Sequence, residues 1–463
     1  MLGTETILMI SQNTFKAHAK SLLHLGMPIL LGQLAQMSMN FVDTVVAGMA
    51  GTAHMAGVSI GGAIWTPLLL FGQGILIPIG PLVAQGLGAG KKESLNRFWR
   101  NGIWIAFLLS AFLIALFTLA SYLYVRSAKI DKEMAQIASE YLFYIKWGMP
   151  AFLLFFVTRF FMEAKSYTRP AMIAGFAALF CNIPLNMVFV FGYFGFPALG
   201  GAGCGLATAV VCWIMFFIMF YYLKKYSPGT FKIVRPNMVV MKRVVRLGLP
   251  IAFALLLEVS SFSLISLLIS PLGKVTVSGH QAAMTTSGLL FMFPLSLGTA
   301  TSILVGRHVG AGDLVKAKET RQSSVLIGVL IGFVSLCGMV LFREEIAKLY
   351  SQDPMVIALA GSILIFTAIY QIPDCVQMVV LSVLRGYNDT KAIFYICCFS
   401  YWGLSVPIGY ALCYTDFIVK PLGVYGFWIA LILGLLCVCL LVNLRVRHLE
   451  GLTLEQVKEK ISR

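Results

Sequence analysis

The chain has 463 residues, of which 59% are hydrophobic and 12% charged, and its mean hydropathy is +0.86. About a quarter of the residues of a soluble domain are charged, so this composition excludes an ordinary soluble protein and predicts a chain that lies in a bilayer. The net charge of +16 would suggest nucleic acid in a soluble protein, but the basic residues lie mainly in short loops between apolar runs, so we expect no nucleic-acid partner.

Apolar runs recur along the whole chain, and each is long enough to cross about 30 Å of hydrocarbon as an α-helix. They predict an all-α membrane protein of twelve spans with no sizeable soluble domain. In chain order the predicted spans are 25–48, 55–84, 102–124, 140–161, 171–193, 203–223, 246–271, 280–306, 323–342, 356–384, 392–415 and 422–444.

Basic residues are concentrated in alternate loops. If the N-terminus is inside, the inside segments hold 26 lysines and arginines and the outside segments hold 7, among them Arg126, Lys129 and Lys132. Two further bases, Lys146 and Arg159, fall within the fourth span. Because positive charge is retained on the cytoplasmic side, this distribution predicts two cytoplasmic termini and an even number of spans.

The longest inside loop, 224–245, separates an N-terminal lobe (1–223) from a C-terminal lobe (246–463) with a short cytoplasmic tail. A shift of 222 residues pairs Leu-Gly-Met-Pro-Ile at 25–29 with Leu-Gly-Leu-Pro-Ile at 247–251, and Gly-Ala-Gly at 88–90 with the same triplet at 310–312. Farther along, Tyr167 pairs with Tyr387 at a shift of 220. The near-constant spacing predicts two homologous six-span halves.

Six spans are an even number, so both halves enter the membrane from the same side, with a pseudo-twofold axis along the membrane normal. Two equivalent bundles suit alternating access by rocking, whereas a receptor or channel needs no such symmetry. Pro28 and Pro250 occupy equivalent positions, which predicts a shared bend or hinge in spans 1 and 7.

Three acids lie deep within predicted spans: Asp43, Glu258 and Asp374. A charge there costs about 2.5 to 3.5 kcal/mol on insertion scales, so each acid must face a cavity, a cation or a partner. One alternative is that they pair with Lys146 or Arg159 and only lock helices together. Otherwise, an acid exposed to the two sides in turn can carry H⁺, and one with amide or hydroxyl neighbours can hold Na⁺.

Other polar residues accompany these acids. Asn182 and Asn186 are four residues apart, hence on one helix face. They could complete an oxygen site with Asp43, or their amides could only form hydrogen bonds between helices. Thr208 in span 6 is a weaker candidate, and the 222-residue shift places Gln36 opposite Glu258. No phosphate-binding motif is present, so we expect no cofactor and energy from an ion gradient.

These features in order resemble the multidrug and toxic compound extrusion (MATE) family, in its NorM-like bacterial branch. The resemblance covers about residues 20 to 445. It rests on the duplicated six-span pattern, Pro28, Val42-Asp43-Thr44, Gly88-Ala89-Gly90, Glu258, and the run from Tyr370 to Asp374 that leads to Leu384-Arg385-Gly386-Tyr387. In the first half the second position of this Leu-Arg-Gly turn is Lys165, in Ala164-Lys165-Ser166, so the two halves have diverged there.

The resemblance implies a V-shaped pair of six-helix lobes in a bacterial inner membrane. It implies export of cationic amphipathic drugs and dyes in exchange for Na⁺ or H⁺, by a chain that we expect to function as a monomer. Glu258, Asp374 and Tyr370 match the family's cation site, which would hold Na⁺ in a sodium-coupled member, and Asp43 with Asn182, Asn186 and Thr208 matches its N-terminal polar positions.

One alternative function remains open, a flippase for lipids or lipid-linked saccharides with a related architecture. Such a protein would be expected to carry a strongly cationic cavity for a pyrophosphate head group. In this chain the acids within spans outnumber the convincing bases, which favours the antiporter.

Overall fold

The computed structural model describes residues 12–125, 132–230, 235–416 and 419–462, and within them the chain forms helices and no strand. Twelve long helical segments are numbered here in chain order. They are α1 (Gln12–Ala50), α2 (Thr52–Gly88), α3 (Lys92–Val125), α4 (Lys132–Ala164), α5 (Arg169–Phe191), α6 (Gly201–Tyr226), α7 (Met238–Leu272), α8 (Lys274–Ala311), α9 (Leu314–Leu341), α10 (Pro354–Gly386), α11 (Thr390–Tyr414) and α12 (Val424–Glu450). Two shorter helices, Arg343–Tyr350 and Leu454–Ser462, follow α9 and α12.

Among the described residues, eleven of these segments, all except α1, are long and apolar enough to cross a membrane. Helix α1 has 39 residues and, at 1.5 Å per residue, is long enough to cross a membrane. It is less apolar than the other segments, because its second half contains Gln33, Gln36, Asn40 and Asp43. The predicted all-α membrane fold is confirmed.

Of the predicted outside bases, Arg126 and Lys129 lie outside the described residues, and Lys132 begins α4 rather than a loop.

Three of the long segments contain local breaks. Helix α2 is interrupted between Leu76 and Ile79, and α4 contains a 3₁₀ turn at Lys146–Gly148. In α11 the central residues Cys398–Ser405 form a π-helix. A π-helical turn is rare and often lies at a functional site, because it moves side chains out of the regular helical register.

The internal repeat is visible in the backbone as well as in the sequence. Residues with left-handed or related positive φ angles recur at a shift of 222 residues, and once at 223. The pairs are Gly51 (137°) and Gly273 (96°), Gly90 (73°) and Gly312 (79°), Ser166 (69°) and Asn388 (57°), and Gly200 (56°) and Gly423 (59°). Corresponding turns therefore separate corresponding helices in the two halves.

This register corrects one prediction. The N–H of Ser166 donates to the carbonyl of Glu163, and the N–H of Asn388 donates to that of Arg385. Arg385 is therefore equivalent to Glu163, and the assignment of Lys165 to that place is wrong. Pairing the two tyrosines at a shift of 220 displaced the alignment by two residues at this turn.

The chain folds into two compact units. One contains α1 as far as Gly26, the segment Leu87–Gly90 and the described chain from Phe253 onward, and the other contains Met27–Gly86 and Lys91–Ala252. The chain thus changes unit within α1, two residues before Pro28, and within α7, two residues after Pro250. The prediction of a hinge at the two prolines is compatible with these crossing points.

Each unit has its own core. In the unit that contains the described chain from Phe253 onward, α10 packs against α8, α9 and α12, with Trp428 and Tyr401 fully buried. In the other unit the second part of α4, Met149–Ala164, is almost wholly buried and packs against α3 and α6. The functional side chains described next project from these buried helices.

Candidate ion-binding sites

Glu258 lies in the middle of α7, where Tyr401 from α11 reaches it. The Tyr401 hydroxyl lies 3.2 Å from Glu258 Oε1 and 3.1 Å from Gln377 Oε1, and it can donate to either oxygen. Gln377 Nε2 in turn donates to the same hydroxyl at 2.8 Å. Glu258, Tyr401 and Gln377 therefore form one hydrogen-bonded chain across three helices.

The backbone of α11 positions the tyrosine. Tyr401 lies inside the π-helical segment Cys398–Ser405, and none of its side chain is exposed. Gln377, only 1% exposed, lies three residues after Asp374, on the same face of α10. Neither residue was predicted from the sequence. The spacing of Gln377 from Asp374 was a usable signal, whereas nothing in the sequence indicated the π-helix.

Asp374 is 2% exposed and lies within electrostatic range of Glu258, so the two acids repel each other when both are charged. Among the described residues no side chain or backbone group donates a hydrogen bond to its carboxylate. Tyr370, one turn earlier in α10, is also buried, and its ring meets that of Trp428 edge-on with centroids 6.1 Å apart. Tyr370 and Asp374 are thus buried, Glu258 is partly buried, and the three groups lie within electrostatic range of one another.

Arg385 modifies the expected electrostatics of this region. From the sequence it was expected in an inside loop, but it lies in the last turn of α10, is 8% exposed and attracts Glu258 electrostatically. The second half therefore also contains a buried base, in addition to Lys146 and Arg159, which were predicted within the fourth span. Glu258 has a distant cation and a hydroxyl donor, whereas Asp374 has neither.

Asp43 forms the second site, in the other unit. Its Oδ1 accepts from Asn182 Nδ2 at 3.0 Å and from Asn186 Nδ2 at 2.7 Å, and its Oδ2 accepts from Thr208 Oγ1 at 2.8 Å. Asn186 Nδ2 also donates to Asn182 Oδ1 at 3.0 Å. All four residues predicted for this site are therefore in direct contact, on helices α1, α5 and α6.

The amide geometry leaves the Asp43 site with spare acceptors. Both asparagines are fully buried, and Asn186 Oδ1 has no hydrogen-bond donor in the part of the chain that the structure describes. Carboxylate and amide oxygens are suitable ligands for a hard cation. Gln36 does not belong to this cluster, since its buried Nε2 has no partner among the described residues.

A further buried acid, Glu163, was not predicted from the sequence. Its Oε1 accepts from Arg159 Nε at 2.7 Å, one helical turn away in α4, with side-chain exposures of 1% and 5%. Arg159 therefore pairs with Glu163 and not with the three acids first singled out. The i, i+4 spacing of arginine and glutamate was the available signal.

No three side chains among histidine, cysteine, aspartate and glutamate converge as a metal site in the described chain. An ion at Glu258 or Asp374 would therefore also draw on amide, hydroxyl or backbone oxygens. At Glu258 these are the oxygens of Gln377 and Tyr401. Na⁺ tolerates such neutral ligands, and a proton needs only the carboxylate.

The sequence and the fold of this chain are similar to those of known proteins. The sequence profile of the MatE family matches residues 28–188 and again residues 250–411, so the two matches begin at equivalent positions of the repeat. Together they cover most of the chain.

Among solved structures, a eukaryotic MATE transporter, AtDTX14, superposes with a TM-score of 0.87 at 20% identity, covering 97% of this chain and 99% of that one. An outward-facing multidrug resistance MATE family transporter of the MOP superfamily gives 0.84 at 18% identity, with 99% and 100% coverage. A MOP superfamily transporter from Pyrococcus furiosus, described as having reverse polarity of its binding pocket, gives 0.83 at 17% identity, also with 99% and 100% coverage.

Proposed function

This chain belongs to the MatE family of transporters, and from that premise we propose that it exports cationic amphipathic small molecules, including drugs and dyes, in exchange for Na⁺ or H⁺. We place it in a bacterial inner membrane, with both termini cytoplasmic, and infer that a single chain forms the pathway. Export of this kind would give the cell resistance to cationic antibiotics.

One observation carries the proposal. Asp374 is buried inside α10, accepts no hydrogen bond within the described chain and lies within electrostatic range of Glu258. A carboxylate in that setting is too costly to keep charged and unpartnered, so it must bind a proton or a metal cation. Glu258, held by Tyr401, is the second group of the same coupling site.

Ion binding drives transport only if the ion binds one conformational state more tightly than the other. In the proposed cycle, the external cation binds at Glu258 and Asp374 in the outward-facing state and favours release of the exported molecule. The cluster around Asp43 provides a second polar site, where a cation or the positive group of the exported molecule would bind. The exposed and buried aromatic and methionine side chains suit apolar cations of many shapes.

The experiment is ethidium efflux from proteoliposomes that contain the purified protein, with an imposed Na⁺ gradient and, separately, an imposed pH gradient. Efflux that responds to Na⁺ alone would make Glu258 and Asp374 a sodium site, and efflux that responds to pH alone would make them proton carriers. Efflux under neither gradient would contradict the proposal and favour the flippase.

The matched variants are Glu258→Gln and Asp374→Asn, each of which removes one charge and keeps the shape of the side chain. We expect both to abolish gradient-driven efflux while the protein still inserts and binds ethidium. Glu345→Gln, on the exposed helix Arg343–Tyr350, is the control for the loss of one negative charge. Normal efflux by a well-expressed Glu258→Gln protein would refute the assignment of that residue.

A further inference from the structure

A basic pocket lies at the predicted cytoplasmic ends of α3 and α7, within the unit that contains Lys91–Ala252. Three arginines and two asparagines line most of it, and no acidic residue is among the described lining residues. The lining consists of Arg97, Arg100, Asn101, Arg235, Pro236, Asn237 and Met238. Neither candidate site described above uses any of these residues.

Two of the arginines are available to a ligand. Arg97 and Arg235 are exposed, and among the described residues neither side chain forms a hydrogen bond or an ion pair. The sequence around them is strongly basic, since residues 91–100 contain four lysines and arginines against Glu93 alone. Guanidinium groups recognise phosphate oxygens in a bidentate geometry, so the pocket is suited to a phosphate group.

The third arginine builds the pocket. Arg100 donates through Nε to the carbonyl of Thr230 at 2.9 Å and through Nη2 to that of Gly229 at 2.9 Å. Thr230 Oγ1 also donates to Asn96 Oδ1 at 3.1 Å. These bonds attach the turn that follows α6 to the first turns of α3.

The other side of the pocket is attached in the same way. The N–H of Asn237 donates to Asn101 Oδ1 at 2.7 Å, and Asn237 Oδ1 accepts from the N–H of Val239 at 3.0 Å, as an N-cap of α7. Two parts of the predicted inter-lobe loop, at 229–230 and at Asn237, are thus bonded to α3. These bonds hold the backbone on two sides of the pocket, which lowers the entropic cost of binding.

Apolar surface continues directly from the arginines. On α3 the spacing of Arg97, Asn101, Trp104 and Leu108 places all four on one helix face, and Trp104 and Leu108 are 39% and 62% exposed. Met238, in the pocket wall, is 72% exposed. A tryptophan between a basic end and an exposed leucine is typical of the boundary between head groups and acyl chains.

We propose that this pocket binds the phosphate group of an anionic phospholipid, with the acyl chains along the Trp104 and Leu108 face of α3. The cytoplasmic leaflet carries the anionic lipids, and basic pockets between helices on that side attract their head groups. The proposal does not depend on the coupling ion or on the exported molecule, because its readout is lipid binding alone.

The test is a titration of the full-length purified protein in detergent with phosphatidylglycerol or phosphatidylcholine, followed by native mass spectrometry. The variant carries Arg97→Gln and Arg235→Gln, which leaves the structural Arg100 in place. Its control carries Lys224→Gln and Lys225→Gln, which removes the same charge from exposed residues at the end of α6, outside the pocket. We expect wild type to prefer phosphatidylglycerol, and the arginine variant to bind it about 25-fold more weakly, or about fivefold per arginine.

The control variant should retain wild-type affinity for phosphatidylglycerol. Equal losses in the two variants would show a diffuse charge effect and overturn the proposal, as would wild-type binding by the arginine variant. Inorganic phosphate is the second probe. If it alone bound as tightly as phosphatidylglycerol and displaced the lipid, the pocket would be a site for a soluble anion, and the lipid assignment would be wrong.

Discussion

Glu163 and Arg385 occupy the same position in the two halves of the chain, and each accepts, through its carbonyl, the N–H of the left-handed residue three positions later. The backbone is the same, but the side chains have opposite charge. In the first half the acid pairs with Arg159 on its own helix, whereas in the second half the base attracts Glu258 on another helix. The two halves thus keep the same turn, but the side chain at this position is acidic in the first half and basic in the second.

This relationship leads to a prediction about the Arg159–Glu163 pair. Arg159→Leu introduces the residue found at the equivalent position, Leu381, but it leaves Glu163 buried without its cation. We expect a loss of about 3 to 5 kcal/mol in the free energy of unfolding, measured by denaturation in detergent. Combining it with Glu163→Gln should restore most of that stability, and a failure to do so would mean that Arg159 acts through packing instead.

Tyr401→Phe should impair ion coupling without impairing expression. The change removes the only hydroxyl that joins Glu258 to Gln377 among the described residues, while the buried ring keeps its packing. A hydrogen bond to a charged group contributes about 1.5 to 3 kcal/mol, so the ion concentration for half-maximal efflux should change about tenfold or more. It should fall if the ion is H⁺, because the ionised Glu258 loses a stabilising donor, and rise if the ion is Na⁺, because the Tyr401 oxygen is lost as a ligand.

The matched control for Tyr401→Phe is Tyr395→Phe, because Tyr395 is exposed on the same helix and lies outside the π-helical segment. It should behave as wild type. If Tyr401→Phe left the ion dependence unchanged, the hydrogen-bonded chain from Gln377 to Glu258 would have no part in coupling.

Asn186→Ala should disturb the Asp43 site more than Asn182→Ala does. Asn186 donates to both Asp43 and Asn182, so its loss leaves the buried Asn182 Oδ1 without its donor and Asp43 Oδ1 with one donor in place of two. We expect about 1 to 3 kcal/mol of destabilisation together with reduced efflux. Asn443→Ala is the control, since that amide donates only to Cys439 on its own helix. Equal effects of Asn186→Ala and Asn443→Ala would mean that Asn186 contributes only to general packing.

The C-terminal helix should depend on one buried acid. Asp389 Oδ2 accepts from Arg445 Nε at 2.7 Å and from Lys460 Nζ at 2.9 Å, and Val457 on that helix is 2% exposed. Asp389→Asn should therefore increase amide hydrogen exchange across Leu454–Ser462. Glu455→Gln, an equal charge change on the exposed face of the helix, should leave exchange unchanged, and a similar increase in both would contradict the role of Asp389.

The arrangement of the helices was largely predictable from the sequence. All twelve predicted spans coincide with long helices, since about 20 consecutive apolar residues have no other stable conformation in a bilayer. The helices extend beyond the predicted spans, as α4 does at Lys132, because polar residues at a helix end carry no hydropathy signal. The repeat was also visible, apart from the two-residue slip at Tyr167.

The candidate sites were predictable only in part. Asp43, Asn182 and Asn186 were found because a charge or an amide within an apolar run is conspicuous, and the i, i+4 rule placed the amides on one face. Tyr401 and Gln377 were not found, because a tyrosine or glutamine in a span is common. The role of Arg385 was also missed, because it stands at the end of an apolar run and resembles a loop residue.

By itself, then, the sequence determined that the chain lies in a bilayer, how many spans it has, that it is duplicated and which acids need an explanation. Each of these depends on composition or on regular spacing along the chain. Only the tertiary structure decided which residues meet. It joined Asp43 to Thr208 across 165 positions and Glu258 to Tyr401 across 143, and it paired Arg159 with Glu163. A hydrogen bond forms only when two atoms lie within a few ångströms of each other. For residues so far apart in sequence, that distance is set by the packing of the helices.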